Sequence, residues 1–192
     1  MCGFFVQLNL SNKEKFDQKK FVESAKLISH RGPDEERFFF NKKINLGFYR
    51  LSIIDRSIRG SQPMFSMSKN LIIVFNGEIY NANELKHKLK EYVFKSNTDT
   101  EVLLNLYNKY GEKCLDHIEG MFSFLIFNKQ DNSSFVARDK FGIKPLYIKK
   151  EKHQILISSE IKPILNYSKK NKFNKYAFSD FLFTQKMDHR NV

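Results

Sequence analysis

The sequence contains no tryptophan, and cysteine, proline and glycine are scarce. Its 192 residues include two Cys, four Pro and eight Gly. These counts exclude a disulfide-rich secreted scaffold and a collagen-like repeat. No stretch approaches 18 consecutive apolar residues, so we expect no membrane span or membrane partner. The first residues also lack the pattern of a secretory signal, and we therefore expect a cytoplasmic protein without a structural disulfide.

Phenylalanine and lysine are abundant instead. There are 20 Phe, and 41% of the residues are hydrophobic, which is enough for the core of one ordinary domain. The formal charge is +12, but it comes mainly from lysines that are scattered or sit in the predicted loops 149–152 and 169–172. Nucleic-acid recognition favours arginine forks. We interpret the charge as a solvated basic surface and expect no nucleic-acid partner; a polyanion-binding protein is the alternative, and its affinity would fall steeply with salt.

Hydrophobic periodicity predicts short strands grouped in antiparallel hairpins, with helices between the groups. Strands are predicted over Gly3–Leu8, Glu36–Phe40, Ile44–Tyr49, Leu71–Phe75, Phe122–Phe127, Ser134–Ala137, Tyr147–Lys149 and Ile155–Ser158. Helices are predicted over Lys19–Ser29, Glu160–Leu165 and Asn174–Phe183, and around residues 83–89 and 98–110. This order favours an α+β fold of two stacked, mainly antiparallel sheets flanked by helices (αββα) over a doubly wound nucleotide fold.

Local signals fix several ends of these elements. Thr98 and Glu101 have the spacing of a capping box, and Gly111 is a typical C-terminal stop. Asn83 is a candidate N-cap for the short helix predicted around residues 83–89. The apolar strand Leu71–Phe75 runs into Asn76-Gly77, which is typical of a tight turn.

Cys2 is the candidate nucleophile. Removal of the initiator Met would leave an α-amine and a thiol on one residue, with ordinary pKa values of about 7.7 and about 8.5. The amine could then take the thiol proton directly or through one water. The alternative is that Cys2 is an incidental second residue. Cys114, in a short predicted helical stretch, is expected to be a small buried apolar residue.

Three further sites could assist such a nucleophile. Asn76 and the Gly77 N–H could stabilise an oxyanion, although Asn-Gly is more often a plain hairpin turn. Arg50 could aim its guanidinium fork at a carboxylate, or could be a surface residue. Asp99 lies in the first helical turn, where the dipole favours an acid in any case. Four histidines, at residues 87, 117, 153 and 189, are scattered without metal-ligand spacing, so we expect no metal. A Cys–His dyad stays open, but nothing in the sequence selects a partner for Cys2.

Motifs distributed along the whole chain together resemble one known family. They are Met1-Cys2-Gly3, His30-Arg31-Gly32-Pro33-Asp34, Arg50-Leu51-Ser52-Ile53-Ile54-Asp55, Gln62-Pro63, Asn76-Gly77-Glu78-Ile79-Tyr80-Asn81, Thr98-Asp99-Thr100-Glu101, Gly120-Met121-Phe122, the segment Arg138 to Tyr147, and Ser159-Glu160-Ile161-Lys162. In this order they resemble the N-terminal glutaminase domain of glutamine-hydrolysing asparagine synthetases, a class II glutamine amidotransferase. The resemblance implies the N-terminal-nucleophile hydrolase fold.

The resemblance also implies a role for each candidate. Cys2 would attack the side-chain amide of glutamine, forming a thioester and releasing ammonia, while Asn76 and Gly77 would form the oxyanion hole. The glutamine-binding residues would be Arg50 for the α-carboxylate, Glu78 and Asp99 for the α-ammonium, and backbone groups around Ile53. The loops at 30–34 and 138–147 are interpreted as scaffold or domain interface.

A second domain expected from the resemblance is absent from these 192 residues. We assign 1–184 to the amidotransferase domain and 185–192 to the start of a linker. The absent synthetase domain would use ATP and Mg²⁺ to amidate aspartate with the ammonia, whereas the amidotransferase domain needs no cofactor. Alternatives are a truncated, non-catalytic glutamine-binding or regulatory module, or an ammonia donor for another carboxylate such as a cell-surface sugar precursor. A homodimer is possible in each case.

Overall fold

A computed structural model describes residues 1–11, 16–168 and 173–185. The strands in this part are β1 (Gly3–Asn9), β2 (Glu35–Phe40), β3 (Ile44–Arg50), β4 (Met64–Phe65), β5 (Leu71–Ile79), β6 (Gly120–Asn128), β7 (Ser134–Arg138), β8 (Tyr147–Lys150) and β9 (Gln154–Ser158). The helices are α1 (Gln18–Ala25), α2 (Ala82–Lys88), α3 (Asp99–Tyr110), α4 (Ile161–Tyr167) and α5 (Lys175–Thr184), and 3-10 turns span Lys26–Arg31, Ile58–Gly60 and Gly111–His117.

The strands form two antiparallel sheets. One has the order β2-β3-β1-β9-β8 and the other β4-β5-β6-β7. In β1, Phe4, Val6 and Leu8 face the second sheet, whereas Phe5 faces a helix layer. Alternation places successive side chains on opposite faces, and because both faces are covered here the strand reads as a continuous apolar run.

Helices cover the outer face of each sheet. α1 and α4 pack on the five-stranded sheet around Phe21, which stacks on Phe5 with ring centroids 4.8 Å apart. α2 and α3 cover the four-stranded sheet, where Leu103 and Leu85 join its outer residues. The result is the predicted αββα layering, which confirms the α+β class. None of the helices in the described ranges has both the length and the apolar character needed to cross a membrane.

Most predicted elements are present within one or two residues, but three local interpretations were wrong and a fourth was correct only in part. The predicted turn at Asn76-Gly77 is the interior of β5. The helix expected to be capped by Asn83 starts at Ala82 after Asn81, whose side chain instead binds backbone groups of the 117–119 segment. The helix from Lys19 gives way to a 3-10 turn after Ala25. The predicted strand Tyr147–Lys149 extends to Lys150, so the cluster 149–152 is only in part a loop.

The capping box is half formed. Thr98 Oγ1 accepts the Glu101 N–H at 3.3 Å, as predicted. The Glu101 carboxylate does not return to Thr98; it accepts backbone N–H groups from Lys95 and Ser96. It thereby fastens the preceding loop to the helix. Gly111 ends α3 with φ +59°, as expected of a glycine stop. The lysine cluster 169–172 and the predicted linker beyond residue 185 lie outside the described residues.

Candidate active site

The candidate site lies at one end of the space between the two sheets. Cys2 precedes β1 in the row that continues through Phe4 and Val6, and it packs against the core between the sheets. On the facing sheet, the inward row of Val74 continues into Asn76. Strand alternation thus brings the predicted nucleophile and the predicted oxyanion donor to the same end of the core.

Both residues line a cavity of about 250 Å³. Its wall also includes the other predicted site residues, which are Arg50, Ile53, Gly77, Glu78 and Asp99. All seven predicted residues are therefore brought together. The volume is slightly below the range typical of drug-sized ligands, which suits a single amino acid.

The Cys2 thiol is held by one backbone unit. Its Sγ lies 3.4 Å from the Leu51 N, which donates to it, and 3.6 Å from the Leu51 O, to which it donates. Burial is the largest influence on the thiol and raises its pKa, while the Leu51 N–H, the N-terminal amine and Arg50 act to lower it. The resting sulfur is therefore a thiol, and a base must remove its proton before it can attack.

The 30–34 loop holds the backbone of Cys2 in place. Arg31 donates from Nε to the Cys2 carbonyl at 3.0 Å and from Nη1 to Glu160 at 3.1 Å, and His30 Nε2 lies 2.9 Å from the same carboxylate. Asp34 accepts the Ser52 N–H at 2.6 Å. These contacts fix the segments on both sides of the thiol, in agreement with the interpretation of this loop as scaffold.

Asn76 carries an unused buried donor. The residue is 2% exposed, and its Nδ2 has no hydrogen-bond partner among the described residues. Buried polar groups are nearly always hydrogen-bonded, so an exception next to a cavity marks a place for a ligand atom. The neighbouring Ser123 Oγ, directly opposite on β6, is likewise buried and unpartnered in this part of the chain.

The Gly77 N–H points toward the edge of β5 at which the cavity lies. Phe75 N donates to Gln62 at 2.6 Å, and Ile79 N donates to Asp99 at 3.0 Å. Alternate N–H groups of an antiparallel strand point to the same edge, so the Gly77 N–H lies between these two and away from β6. Glycine is required here because a Cβ would come within 2.7 Å of the Phe122 Cα. The geometry offers an amide N–H beside the Asn76 Nδ2.

Arg50 is buried and already has a carboxylate partner. Nη1 lies 3.3 Å from a Glu35 oxygen and 3.0 Å from the Ser57 carbonyl, and Nη2 donates to the Asp55 carbonyl. Its hydrogen bonds to described residues come from Nη1 and Nη2, and none comes from the Nε–H. The edge of a guanidinium that carries Nε and Nη2 is one that binds carboxylates in bidentate fashion.

The acidic side of the cavity is formed by two carboxylates. Asp99 is 6% exposed and accepts N–H groups from Ile79 at 3.0 Å and Thr100 at 2.9 Å. Burial raises the pKa of Asp99 to about 6 despite these bonds, and the nearby exposed Glu78 adds to the rise. Ile53 contributes to the wall near the surface, and the residue is 72% exposed.

Two contributors to the site were missed by the sequence analysis. Leu51 acts through its backbone, which no residue-type pattern indicates. Lys144 lines the cavity although its loop was interpreted as scaffold. Its position in a Gly-Ile-Lys-Pro motif was the available signal, but only the fold shows that this loop reaches Cys2. Within the described ranges, no group of three or more His, Cys, Asp or Glu side chains converges as metal ligands would.

Comparison with known proteins identifies relatives along the whole chain. The family described as a glutamine amidotransferase domain matches residues 1–192. Glutamine-hydrolyzing asparagine synthetases 2 and 1 of Bacillus subtilis (strain 168) are 40% and 39% identical, covering 94% and 96% of this chain but 24% and 30% of those proteins. A putative asparagine synthetase 2 of Methanocaldococcus jannaschii is 41% identical over 79% of this chain and 33% of its own length. The chain thus spans about a quarter to a third of these relatives.

Solved structures share the fold. Glutamine phosphoribosylpyrophosphate amidotransferase from B. subtilis, in complex with ADP and GMP, superposes with a TM-score of 0.68 at 21% identity, over 86% of this chain and 43% of that one. A structure described as the allosteric regulatory enzyme of purine biosynthesis gives 0.66 at 24% identity over the same shares. These likenesses concern the fold alone, and they confirm the predicted N-terminal-nucleophile architecture.

Proposed function

The chain belongs to the glutamine amidotransferase domain family, and we propose on that premise that it hydrolyses glutamine to glutamate and ammonia. The observation that carries the proposal is the pairing of Cys2 with the unused Asn76 Nδ2 at the wall of one small cavity. A nucleophile that creates an oxyanion needs donors already in place. Six buried side-chain atoms have no partner among the described residues, and of these only the Asn76 Nδ2 belongs to a residue that lines the cavity.

In the proposed reaction, removal of Met1 first exposes the α-amine of Cys2. The neutral amine takes the thiol proton, and the sulfur attacks the amide carbon of glutamine. Asn76 Nδ2 and the Gly77 N–H stabilise the resulting oxyanion. The protonated α-amine of Cys2 then gives its proton to the amide nitrogen of glutamine. The C–N bond breaks, which leaves ammonia and a thioester. Water then attacks the thioester, the amine carries its proton back to sulfur, and glutamate leaves.

The charges of the cavity support an amino acid over a simple amide. Arg50 offers the Nε and Nη2 edge of its guanidinium, while Asp99 and Glu78 offer carboxylates, so the wall can match an α-carboxylate and an α-ammonium. Arg50 and Asp99 both act electrostatically on the Cys2 thiol, in opposite senses. A zwitterionic substrate is therefore held on charges that adjoin the nucleophile.

We propose further that the ammonia serves the ATP-dependent amidation of aspartate to asparagine. The support is the identity of about 40% to proteins named as glutamine-hydrolyzing asparagine synthetases, of which this chain spans only the smaller part. The acceptor in this proposal is a synthetase domain or chain outside these 192 residues. ATP and Mg²⁺ would be bound there.

The test is release of glutamate and ammonia from glutamine by tag-free protein whose free Cys2 is verified by intact mass. We expect turnover that Cys2→Ala abolishes and that Cys114→Ala, which alters the buried cysteine of the 111–117 turn, preserves. Protein that retains Met1 should be inactive, because the proposed base is then an amide nitrogen. If protein with a confirmed free Cys2 binds glutamine by calorimetry but releases no ammonia, the proposed hydrolase activity is contradicted. The chain would then be a glutamine-binding module.

A further inference from the structure

Lys144 is a buried lysine, and no carboxylate among the described residues lies within 4.0 Å of its ammonium. Its residue is 6% exposed and lines the same cavity as Cys2. The hydrogen-bond partner of its Nζ within the described chain is the Met1 Sδ, at 3.3 Å. A thioether is only a weak acceptor, and buried charges are normally paired. Removal of Met1 takes even this contact away.

The loop around Lys144 is built to hold its position. The Asp139 carboxylate accepts the Lys144 N–H at 2.9 Å and the Ile143 N–H at 2.8 Å, and it also accepts the Phe122 N–H of β6 at 3.2 Å. From the other side, Arg138 Nε donates to the Lys144 carbonyl at 2.6 Å. The peptide groups on both sides of the lysine are therefore fixed to the sheet that carries Asn76 and Gly77. A lysine that only extends into solvent does not require its backbone to be held by such hydrogen bonds.

Other charged groups face this end of the cavity from the elements packed around it. They are Arg50 at the end of β3, Asp55 in the following loop, Glu78 on β5, Asp99 at the start of α3, and Arg31 behind Cys2. Arg31 is paired with Glu160 and Arg50 with Glu35, while Asp55 accepts the backbone N–H groups of Ser57 and Asn97. None of these carboxylates lies within 4.0 Å of Lys144 among the described contacts.

We propose that Lys144 is a positioning residue whose charge keeps the α-amine of Cys2 neutral, so that the amine can accept the thiol proton near neutral pH. The inference rests on the proposed glutaminase function. Its geometric basis is the contact with Met1: five bonds separate the Met1 Sδ from the Cys2 nitrogen, so the ammonium lies within about 10 Å of that nitrogen.

A like charge disfavours protonation of the amine and lowers its pKa. At about 10 Å, Coulomb's law gives a lowering of about 0.3 to 1 pH unit across the range of effective dielectric constants used for protein surfaces and solvent. An ordinary α-amine titrates near about 7.7, so a shift of this size increases the fraction of neutral amine at pH 7 by about two- to four-fold. Lys144 would therefore act through the amine without touching the substrate.

The experiment is the pH dependence of kcat/KM for glutamine in protein with a verified free Cys2. Lys144→Met, which keeps the aliphatic stem without the charge, should move the acidic midpoint upward by about 0.3 to 1 unit while retaining the rate at high pH. Lys144→Arg should keep the wild-type midpoint. Lys140→Met is the matched control, because it removes an exposed charge from the same loop. If Lys144→Met does not fold, Lys144→Gln tests the same point.

A second measurement separates this inference from the proposed function. The rate of Cys2 alkylation by iodoacetamide, followed by mass spectrometry without glutamine, should show the same upward displacement in Lys144→Met. An unshifted midpoint in both measurements, with an active wild-type protein, overturns the role of Lys144 and leaves the hydrolase intact. Absence of turnover in the wild type overturns the hydrolase, while a displaced alkylation midpoint would still support the electrostatic effect.

Discussion

Gly60 lies directly against the guanidinium of Arg50. A Cβ at residue 60 would overlap Nη2 and would also come within 2.9 Å of the Thr98 Cγ2 and 3.1 Å of the Asp55 carbonyl oxygen. The bare backbone at this position therefore leaves room for the guanidinium edge that we assign to the α-carboxylate of glutamine.

Gly60→Ala should weaken glutamine binding and also lower folding stability by about 1 to 3 kcal/mol, because the added methyl crowds the buried side chains of Arg50 and Thr98. The added methyl displaces Nη2, and loss of a charge-assisted hydrogen bond costs about 1.5 to 3 kcal/mol, so KM should rise about 10- to 100-fold. Steady-state kinetics and a thermal melt would show this. Arg50→Lys should behave similarly, because an ammonium cannot offer a two-donor edge. A KM that stays unchanged in Gly60→Ala would place the α-carboxylate elsewhere.

Asn76→Ala should lower kcat about 100-fold or more and leave KM nearly unchanged, because its donor is needed only when the oxyanion forms. Stability should hardly change, since the Asn76 Nδ2 has no partner in the described chain to lose. The matched control is Asn45→Ala: Asn45 is also buried, but it donates to Gln7 at 3.0 Å. That variant should lose stability and keep its turnover. Equal kcat values for Asn76→Ala and wild type would show that the oxyanion hole is formed by other residues.

Glutamine affinity should fall as the pH drops below about 6. Asp99 must be ionised to hold the α-ammonium, and its pKa in the free protein is raised to about 6 by burial. The dissociation constant should then increase by up to about tenfold per pH unit. Calorimetry on Cys2→Ala between pH 5 and 7.5 isolates binding from the chemistry. Asp99→Asn should bind weakly with a flat profile, whereas a steep profile in that variant would assign the titration to another group.

The same residue should influence stability in the opposite sense. A carboxyl whose pKa is raised in the folded state destabilises that state once it ionises, so stability falls as the pH rises from about 4 to about 6 and stays lower above. A rise from 3.8 to about 6 corresponds to up to about 3 kcal/mol. Urea denaturation at pH 7 should therefore find Asp99→Asn more stable than wild type.

Asp139→Asn should loosen the loop that carries Lys144. Burial alone would raise the pKa of Asp139, but the N–H groups of Lys144, Ile143, Phe122 and Phe141 outweigh it and lower the pKa. The stability that the ionised group contributes is present above its ordinary value of 3.8 and is lost as the pH falls below it. We expect a loss of about 2 to 4 kcal/mol at pH 7 by urea denaturation.

Asp131→Asn is the comparison for that measurement. Asp131 is exposed and accepts a single N–H, from Ser133 at 2.8 Å. Its substitution should cost less than about 1 kcal/mol. Similar losses for the two variants would contradict the anchoring role of Asp139.

The layers of the fold were predictable because their signals are local. The T-x-x-E spacing located the start of α3, Gly111 located its end, and apolar runs located the strands of both sheets. Asn76-Gly77 misled because this dipeptide normally forms a turn. Here the strand continues through it, since β6 supplies partners as far as Ile79 and a side chain at residue 77 would meet that strand. Tertiary pairing outweighed the local preference.

The complete site was less predictable, because some of its contacts depend on segments far apart in the chain. Leu51 holds the Cys2 sulfur through backbone atoms, which every residue type has. Lys144 is one of 26 lysines, and only the loop folded around Asp139 distinguishes it. Arg50 was expected to face a carboxylate, but its internal partner Glu35 could not be identified from spacing.

The pairing of β1 with β9 also determines when the N-terminal strand can fold during synthesis. Phe5 is paired with Ser158, about 150 residues later, so β1 cannot complete its place in the sheet until most of the chain has left the ribosome. At about 5 to 20 residues per second, that interval lasts about 8 to 30 s. Until then the segment around Cys2 is not enclosed between its neighbouring strands. If Met1 is removed as we propose, its removal can therefore precede folding, and the nucleophile would be generated before the cavity that uses it exists.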